Sequence, residues 1–258
     1  MLKSYLSLVK FSHTIFALPF AMVGFTLAIS HDEYSFGWDK LVFVILCMVF
    51  ARSAAMAFNR YIDRDVDSAN PRTAEVREIP NGTIKAKSAL VFVLINAVLF
   101  MASSYMLNIL CFYLSPIALL VILGYSYTKR FTALCHLVLG LGLSLSPIGA
   151  YLAVTASFNV LPILFSCIVL FWVGGFDIIY ALQDESFDKK FNLHSIPVLL
   201  GTKNALLFAR FLHVLTGSIL IYIATNYFQN SVLFYVAVFV FISLLLNQHR
   251  LVKAHDLS

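Results

Sequence analysis

Charge is what this sequence has least of: Asp, Glu, Lys and Arg together make 12% of its 258 residues. Three runs, 88–128, 131–176 and 211–248, contain none of the four. A chain this poor in charge, 60% hydrophobic and with mean hydropathy +0.87, is excluded from the water-soluble globular class. Cysteine is scarce too. Cys47, Cys111, Cys135 and Cys167 stand singly in apolar sequence with no CxxC spacing, so a disulfide framework is excluded and they read as small packing residues. No small-residue cleavage site followed by polar sequence comes after residues 1–13, so a cleaved signal peptide is not expected and the first apolar stretch reads as an ordinary span. Low-complexity segments and soluble domains are also missing, which leaves 1–258 as a single integral-membrane domain.

What is there is long apolar helix. A hydrocarbon core of about 30 Å takes roughly 20 helical residues, so each uncharged run is long enough for two crossings and predicts a helical hairpin. The turns fall at the most polar points available: Asn108, residues 157–159 and residues 226–231. Two earlier spans precede them. The expected map is an all-α polytopic bundle of eight helices at 12–30, 40–66, 87–107, 109–127, 133–155, 160–184, 204–225 and 231–248. A β-barrel would instead show alternating segments of roughly ten residues.

The basic residues orient this map. Of 18 Lys and Arg, only Lys40 falls on one side, Arg52 and Arg210 lie within spans, and all the rest fall on the other. That side is the cytoplasm and holds both chain ends.

Nine of the 13 acidic residues crowd into two stretches, 63–78 and 177–188. Asn59, just ahead of the first, stands at four-residue spacing with Asp63 and Asp67; the second carries Tyr180, Asp184 and Asp188 at the same spacing. Residues i, i+4 and i+8 line one helix face, so each set forms a stripe of oxygens. An even number of spans separates them, so both stripes open on the same side. Facing carboxylates repel unless cations neutralise them, and Mg²⁺ suits oxygen donors, taking one or two carboxylates and completing its shell with water and phosphate oxygens. Arg64, Arg72, Arg77, Lys129, Arg130 and Lys189, interleaved here, suit those phosphates.

With these motifs in view, the sequence resembles the UbiA-type intramembrane prenyltransferases, whose signatures are NxxxDxxxD and, three helices later, YxxxDxxxD. The likeness extends to Asn70-Pro71-Arg72-Thr73, to the stretch from Gly124 to Thr132 and to Leu193-His194-Ser195. Within the family it is nearest to 4-hydroxybenzoate polyprenyltransferases and to relatives acting on a dihydroxynaphthoate such as 1,4-dihydroxy-6-naphthoate in menaquinone synthesis. The resemblance implies transfer of a polyprenyl chain from its diphosphate to a phenolic aromatic acid in quinone biosynthesis, in the bacterial inner membrane. It implies Mg²⁺ held by Asn59, Asp63, Asp67, Asp184 and Asp188, with Arg64, Arg72, Lys129, Arg130, Lys189 and Tyr180 binding the diphosphate. The implied partners are polyprenyl diphosphate, the aromatic acid and membrane lipid, with no nucleic acid. The motif-bearing loops are expected near 60–86 and 184–203. Three departures stand out: Arg60 where the family commonly has Asp, Arg77-Glu78-Ile79-Pro80 where Arg-Pro-Leu-Pro is usual, and eight helices against the family's nine. Residues 249–258 look like the loop before the ninth, so the reading includes a C-terminal truncation.

Two ions lie deeper. Arg52 lies seven residues before Asn59 and Asp177 seven before Asp184, so each sits about two turns deeper on its motif's face, where a charge faces the interior and finds a partner. Either they bind the acceptor, Arg52 through its carboxylate and Asp177 by orienting it or steering the phenol, or they form a plain ion pair. His136 and His213 read as packed polar groups, and His194 matches the family without an assigned role. Two rivals fit less well. A CDP-alcohol phosphotransferase needs a DGxxAR…GxxxDxxxD cluster that is missing, and a secondary transporter places its site near the midplane, whereas most of these acids lie at one mouth.

Overall fold

The structure, a computed structural model, describes residues 2–30 and 34–252, without the side chains of residues 2 and 11–16. Its helices are α1 (Leu2–Leu8), α2 (Phe11–Ser30), α3 (Trp38–Ile62), α4 (Arg64–Ala69), α5 (Pro71–Ala74), α6 (Ala86–Leu107), α7 (Ile109–Thr128), α8 (Cys135–Thr155), α9 (Val160–Ala181), α10 (Glu185–Lys190), α11 (Ile196–Tyr227) and α12 (Val232–Leu251). Among the described residues there is no strand, and 7 helical stretches are long and apolar enough to cross a membrane. The expected span 12–30 is α2, of which Ala17–Ser30 stands as a shorter apolar helix. The all-α polytopic reading holds. Of the stretch likened to a loop before a ninth helix, residues 249–251 instead continue α12, and residues 253–258 lie outside the described residues.

Two compact units make up the chain: residues 1–127 with 145–162, and residues 128–144 with 163–258. In the first, α3 packs along α6, and Ala54, Ala57, Ala89 and Val93 form a core with Leu8, Val9 and Ile84. Small residues at such a contact let helix backbones approach closely, which is how helices associate without water to drive them together. The approach is tightest at Gly24 of α2, where a Cβ would stand 1.8 Å from the Pro147 carbonyl oxygen of α8.

The expected turn at Asn108 is present and does more than reverse the chain. Its Oδ1 accepts from Cys111 N–H at 2.8 Å, starting α7, and its Nδ2 donates to Leu152 O at 2.8 Å. Lys40, the lone lysine on its side of the map, donates to Leu107 O at 3.0 Å and Ala153 O at 2.9 Å, satisfying carbonyls at the C-terminal ends of α6 and α8. The start of α3 and the ends of α6 and α8 therefore share one face of this unit, as alternating crossings require.

The second unit is built around Ile178, Leu182, Ile196, Leu206, Ala209 and Leu212. Gly175 of α9 lies against α11, where a Cβ would stand 2.5 Å from His213 Nε2. His213 donates through Nε2 to Trp172 O at 3.2 Å and accepts at Nδ1 from His249 Nε2 at 2.7 Å, so this histidine is a packed polar group, as expected.

Three boundaries differ from the sequence reading. The helix expected over 40–66 is interrupted at Asp63, and the one expected over 160–184 ends at Ala181 in a short 3₁₀ turn, Leu182–Asp184. The helix expected over 204–225 begins eight residues earlier, because Ser195 caps it by accepting from Val198 N–H and Pro197 suits its first turn. Gly201, at φ 75° and ψ 161°, kinks it near the point where the loop was expected to end.

Candidate functional site

The first motif lies in the first unit, where α3 gives way to α4. Asp63 has φ −86° and ψ 6°, off the helical basin, yet its N–H bonds Asn59 O at 2.9 Å and its carbonyl accepts from Asp67 N–H at 2.7 Å. The four-residue stripe therefore survives the joint, bent rather than broken. Asn59 Nδ2 donates to Asp63 Oδ2 at 2.8 Å, so the asparagine holds the first carboxylate in place. Asp67 turns inward to 5% exposure and pairs with Arg77.

The chain reaches Arg77 through the Asn70-Pro71-Arg72-Thr73 stretch. Asn70 Oδ1 caps α5 by accepting from Arg72 N–H at 3.0 Å, Pro71 takes the first helical position, and Thr73 Oγ1 donates back to Asp67 O at 2.9 Å. Arg64 is exposed, with its guanidinium 4.6 Å from the Tyr61 ring centre and donating to Tyr61 O; Arg72 is exposed as well. Two of the departures from the family pattern, at Arg60 and at Arg77-Glu78, meet here. Arg60 is buried within electrostatic reach of Asp67, Arg77, Glu78 and Tyr125, and buried Glu78 accepts from Ser7 Oγ. Nearby Lys10 has its pKa lowered, by desolvation first and then by Arg60 and Arg77.

The second motif, in the second unit, repeats this pattern. Tyr180 closes α9 and is exposed, Asp184 ends the 3₁₀ turn half-buried, and Asp188 in α10 is 0% exposed and paired with Lys129 Nζ at 2.8 Å. Lys189 pairs with Glu185 at 2.6 Å, and Glu185 also accepts from Thr202 Oγ1 at 2.8 Å. Arg130 is exposed beside Lys129. In both motifs the last aspartate is buried and held by a cation from its own unit, while the middle aspartate stays half-buried.

The deeper ions differ from each other. Arg52 Nε is buried and has no hydrogen-bond partner among the described residues. Asp177 has one: His136 Nδ1 lies 2.7 Å from its Oδ2. His136 is therefore more than packing, and position alone could not signal it because 41 residues separate the pair.

Both motifs offer oxygen ligands, and the buried Asp67 Oδ2 and Asp188 Oδ2 have no hydrogen-bond donor among the described residues. No three His, Cys, Asp or Glu side chains among the described residues cluster tightly enough to hold a metal alone. That donor set fits Mg²⁺, which takes few carboxylates and relies on phosphate oxygens, and does not fit a metal needing a closed protein cage.

Comparison with known proteins agrees. The profile of the UbiA prenyltransferase family matches residues 17–258. A 4-hydroxybenzoate octaprenyltransferase from Vibrio atlanticus is 32% identical over 219 residues, 85% of this chain and 76% of that protein. The apo structure of a UbiA homologue from Aeropyrum pernix K1 superposes with TM-score 0.85 at 31% identity, covering 93% of this chain and 88% of that one. A UbiA homologue from Archaeoglobus fulgidus bound to DMAPP and Mg²⁺ shares the fold at TM-score 0.78 and 23% identity, covering 95% and 85%.

Proposed function

Because the chain belongs to the UbiA prenyltransferase family, we propose that it transfers a polyprenyl group from its diphosphate to an aromatic acid, 4-hydroxybenzoate, in quinone biosynthesis, and that it requires Mg²⁺. The observation that carries this reading is the pair of motifs, each with a half-buried aspartate followed four residues later by a buried one. Asn59, Asp63 and Asp67, with Asp184 and Asp188, are the residues that would hold Mg²⁺. When bound, the metal supplies positive charge where the diphosphate leaves.

The remaining work falls to the chain. Breaking the allylic C–O bond sends its electron pair onto the diphosphate, and Arg64, Arg72, Lys129, Arg130 and Lys189, with the Tyr180 hydroxyl, stabilise that growing charge. Lys129, now paired with Asp188, is placed to exchange that partner for a phosphate oxygen. The allylic carbon then bonds a ring carbon of the acceptor, which loses its proton. Arg52, whose buried Nε has no hydrogen-bond partner among the described residues, receives the acceptor carboxylate, and Asp177 accepts from the phenol hydroxyl. The exposed apolar residues of the spanning helices, Leu120 and Leu233 among them, face lipid, in which the isoprenoid tail is soluble. The bias of Lys and Arg toward one side supports an N-terminus in the cytoplasm, and membership of the family supports the bacterial inner membrane.

Membranes carrying the protein, supplied with labelled prenyl diphosphate, Mg²⁺ and a panel of phenolic acids, test the reading. Prenylated 4-hydroxybenzoate should form, chelation should stop it, and Asp63→Ala and Asp184→Ala should each lower turnover at least about a hundredfold. Unchanged turnover in both variants would sink it.

A further inference from the structure

We propose that His136 is a positioning residue for the acceptor, fixing the Asp177 carboxylate so that one oxygen is committed to the protein and the other is presented to substrate. This rests on the reading of Asp177 as an acceptor-side group.

The argument begins with the imidazole. Ile196 N–H lies 3.3 Å from His136 Nε2, and a backbone amide can only donate, so Nε2 carries a lone pair. The ring proton is therefore on Nδ1, which donates to Asp177 Oδ2 at 2.7 Å. Both ring nitrogens are used. Ile196 is the first residue of α11, whose opening amides have no acceptor within their own helix, so the histidine satisfies one of them.

The ring is also gripped from behind. Its side chain is 4% exposed against 28% for Asp177. Next to it Cys135 Sγ donates to His194 O at 3.5 Å, and His194 N–H bonds Lys129 O at 2.8 Å. These contacts stitch segment 129–136 to segment 188–196, so the imidazole cannot turn without breaking bonds to α9 and α11 together.

The consequence lies on Asp177. With Oδ2 held, Oδ1 has no further hydrogen bond among the described residues, and the carboxylate keeps a partly open face. A carboxylate at membrane depth held at one oxygen accepts a donor at the other along one direction, which selects an acceptor presenting a hydroxyl there. His136 touches no substrate; it sets the angle of the group that does.

Two amide substitutions separate the nitrogens. The Asn amide nitrogen falls where Nδ1 stands, and the Gln amide oxygen falls where Nε2 stands. His136→Gln should therefore keep the Ile196 contact and lose the Asp177 contact, raising the KM for 4-hydroxybenzoate about tenfold with the prenyl diphosphate KM unchanged. His136→Asn should stay within about threefold of the parent for both substrates. Equal acceptor losses in the two variants, or parallel changes in both KM values, would show a packing role and overturn the proposal. If the Gln variant does not accumulate, the Asn variant decides alone, and a rise of about tenfold in its acceptor KM would overturn the proposal. Asp177→Asn separates the layers of inference. No change in its acceptor KM removes the reading of Asp177 itself; a rise there without one in His136→Gln removes only the role of His136.

Discussion

Arg52 carries a buried guanidinium nitrogen with no hydrogen-bond partner among the described residues. Folded proteins seldom leave such a donor unmet, and where they do a ligand often completes it. Replacing Arg52 with Ala should raise the KM for the aromatic acid by about tenfold or more while the prenyl diphosphate KM stays nearly level, since a charge-assisted hydrogen bond is worth about 1.5–3 kcal/mol. Steady-state kinetics with each substrate varied in turn checks it. At this scale the sequence is legible where spacing alone defines the chemistry: Asn59, Asp63 and Asp67 repeat every fourth residue, and the Asn59–Asp63 bond follows from that spacing. It is illegible where the partner is chosen by tertiary packing. Arg77 on Asp67, Lys129 on Asp188 and His136 on Asp177 each join residues ten or more positions apart, and many other cations and acids in the chain could have filled those places.

Between helices, the joints within the two motifs matter most. At each, a spanning helix stops near the middle aspartate and a short helix carries the last one inward to a cation. Removing the cation leaves a buried carboxylate unpaired, so Lys129→Ala should destabilise the substrate-free protein by up to about 3 kcal/mol, read by thermal unfolding in detergent. The Lys129→Ala/Asp188→Ala double variant should recover part of that loss while remaining inactive. The kink in α11 offers a second check. Gly201 sits at φ 75° and ψ 161°, a region closed to residues with a Cβ, so Gly201→Ala should cost about 1–3 kcal/mol in the same measurement, although a Cβ there would meet no atom within 4 Å. Uncharged runs predict spanning hairpins because lipid demands them, and Asn108 marks a turn because it is the most polar residue near the middle of its run. The early start of α11 escapes that logic, since Gly201 and Lys203 resemble loop composition while the cap at Ser195 and the core contacts of Ile196 extend the helix.

For the chain as a whole, sidedness is the property to test. Its four cysteines are buried or half-buried, so single cysteines placed in turns will report against a low background. Ser157→Cys and Asn230→Cys, in the turns after α8 and α11, should react with a membrane-impermeant maleimide from outside the cytoplasm. Arg130→Cys and Lys190→Cys should react only after the membrane is opened. Labelling of all four from one side would refute the alternating map. On the expected map the small positive surplus of the chain resolves into cations gathered on one side, with nine of the 13 acids in two short stretches, which the net charge alone conceals.

Lys40 adds a matter of timing. Its two carbonyl partners lie 67 and 113 residues further along the chain. During synthesis α3 enters the membrane long before either exists, and the ammonium must wait in water or headgroups until α6 and then α8 arrive. The clasp therefore closes in two stages, set by the order in which the ribosome delivers the helices. A chain halted between residues 107 and 153 holds Lys40 by one carbonyl at most, which makes the arrival of α8 the step that locks the first unit.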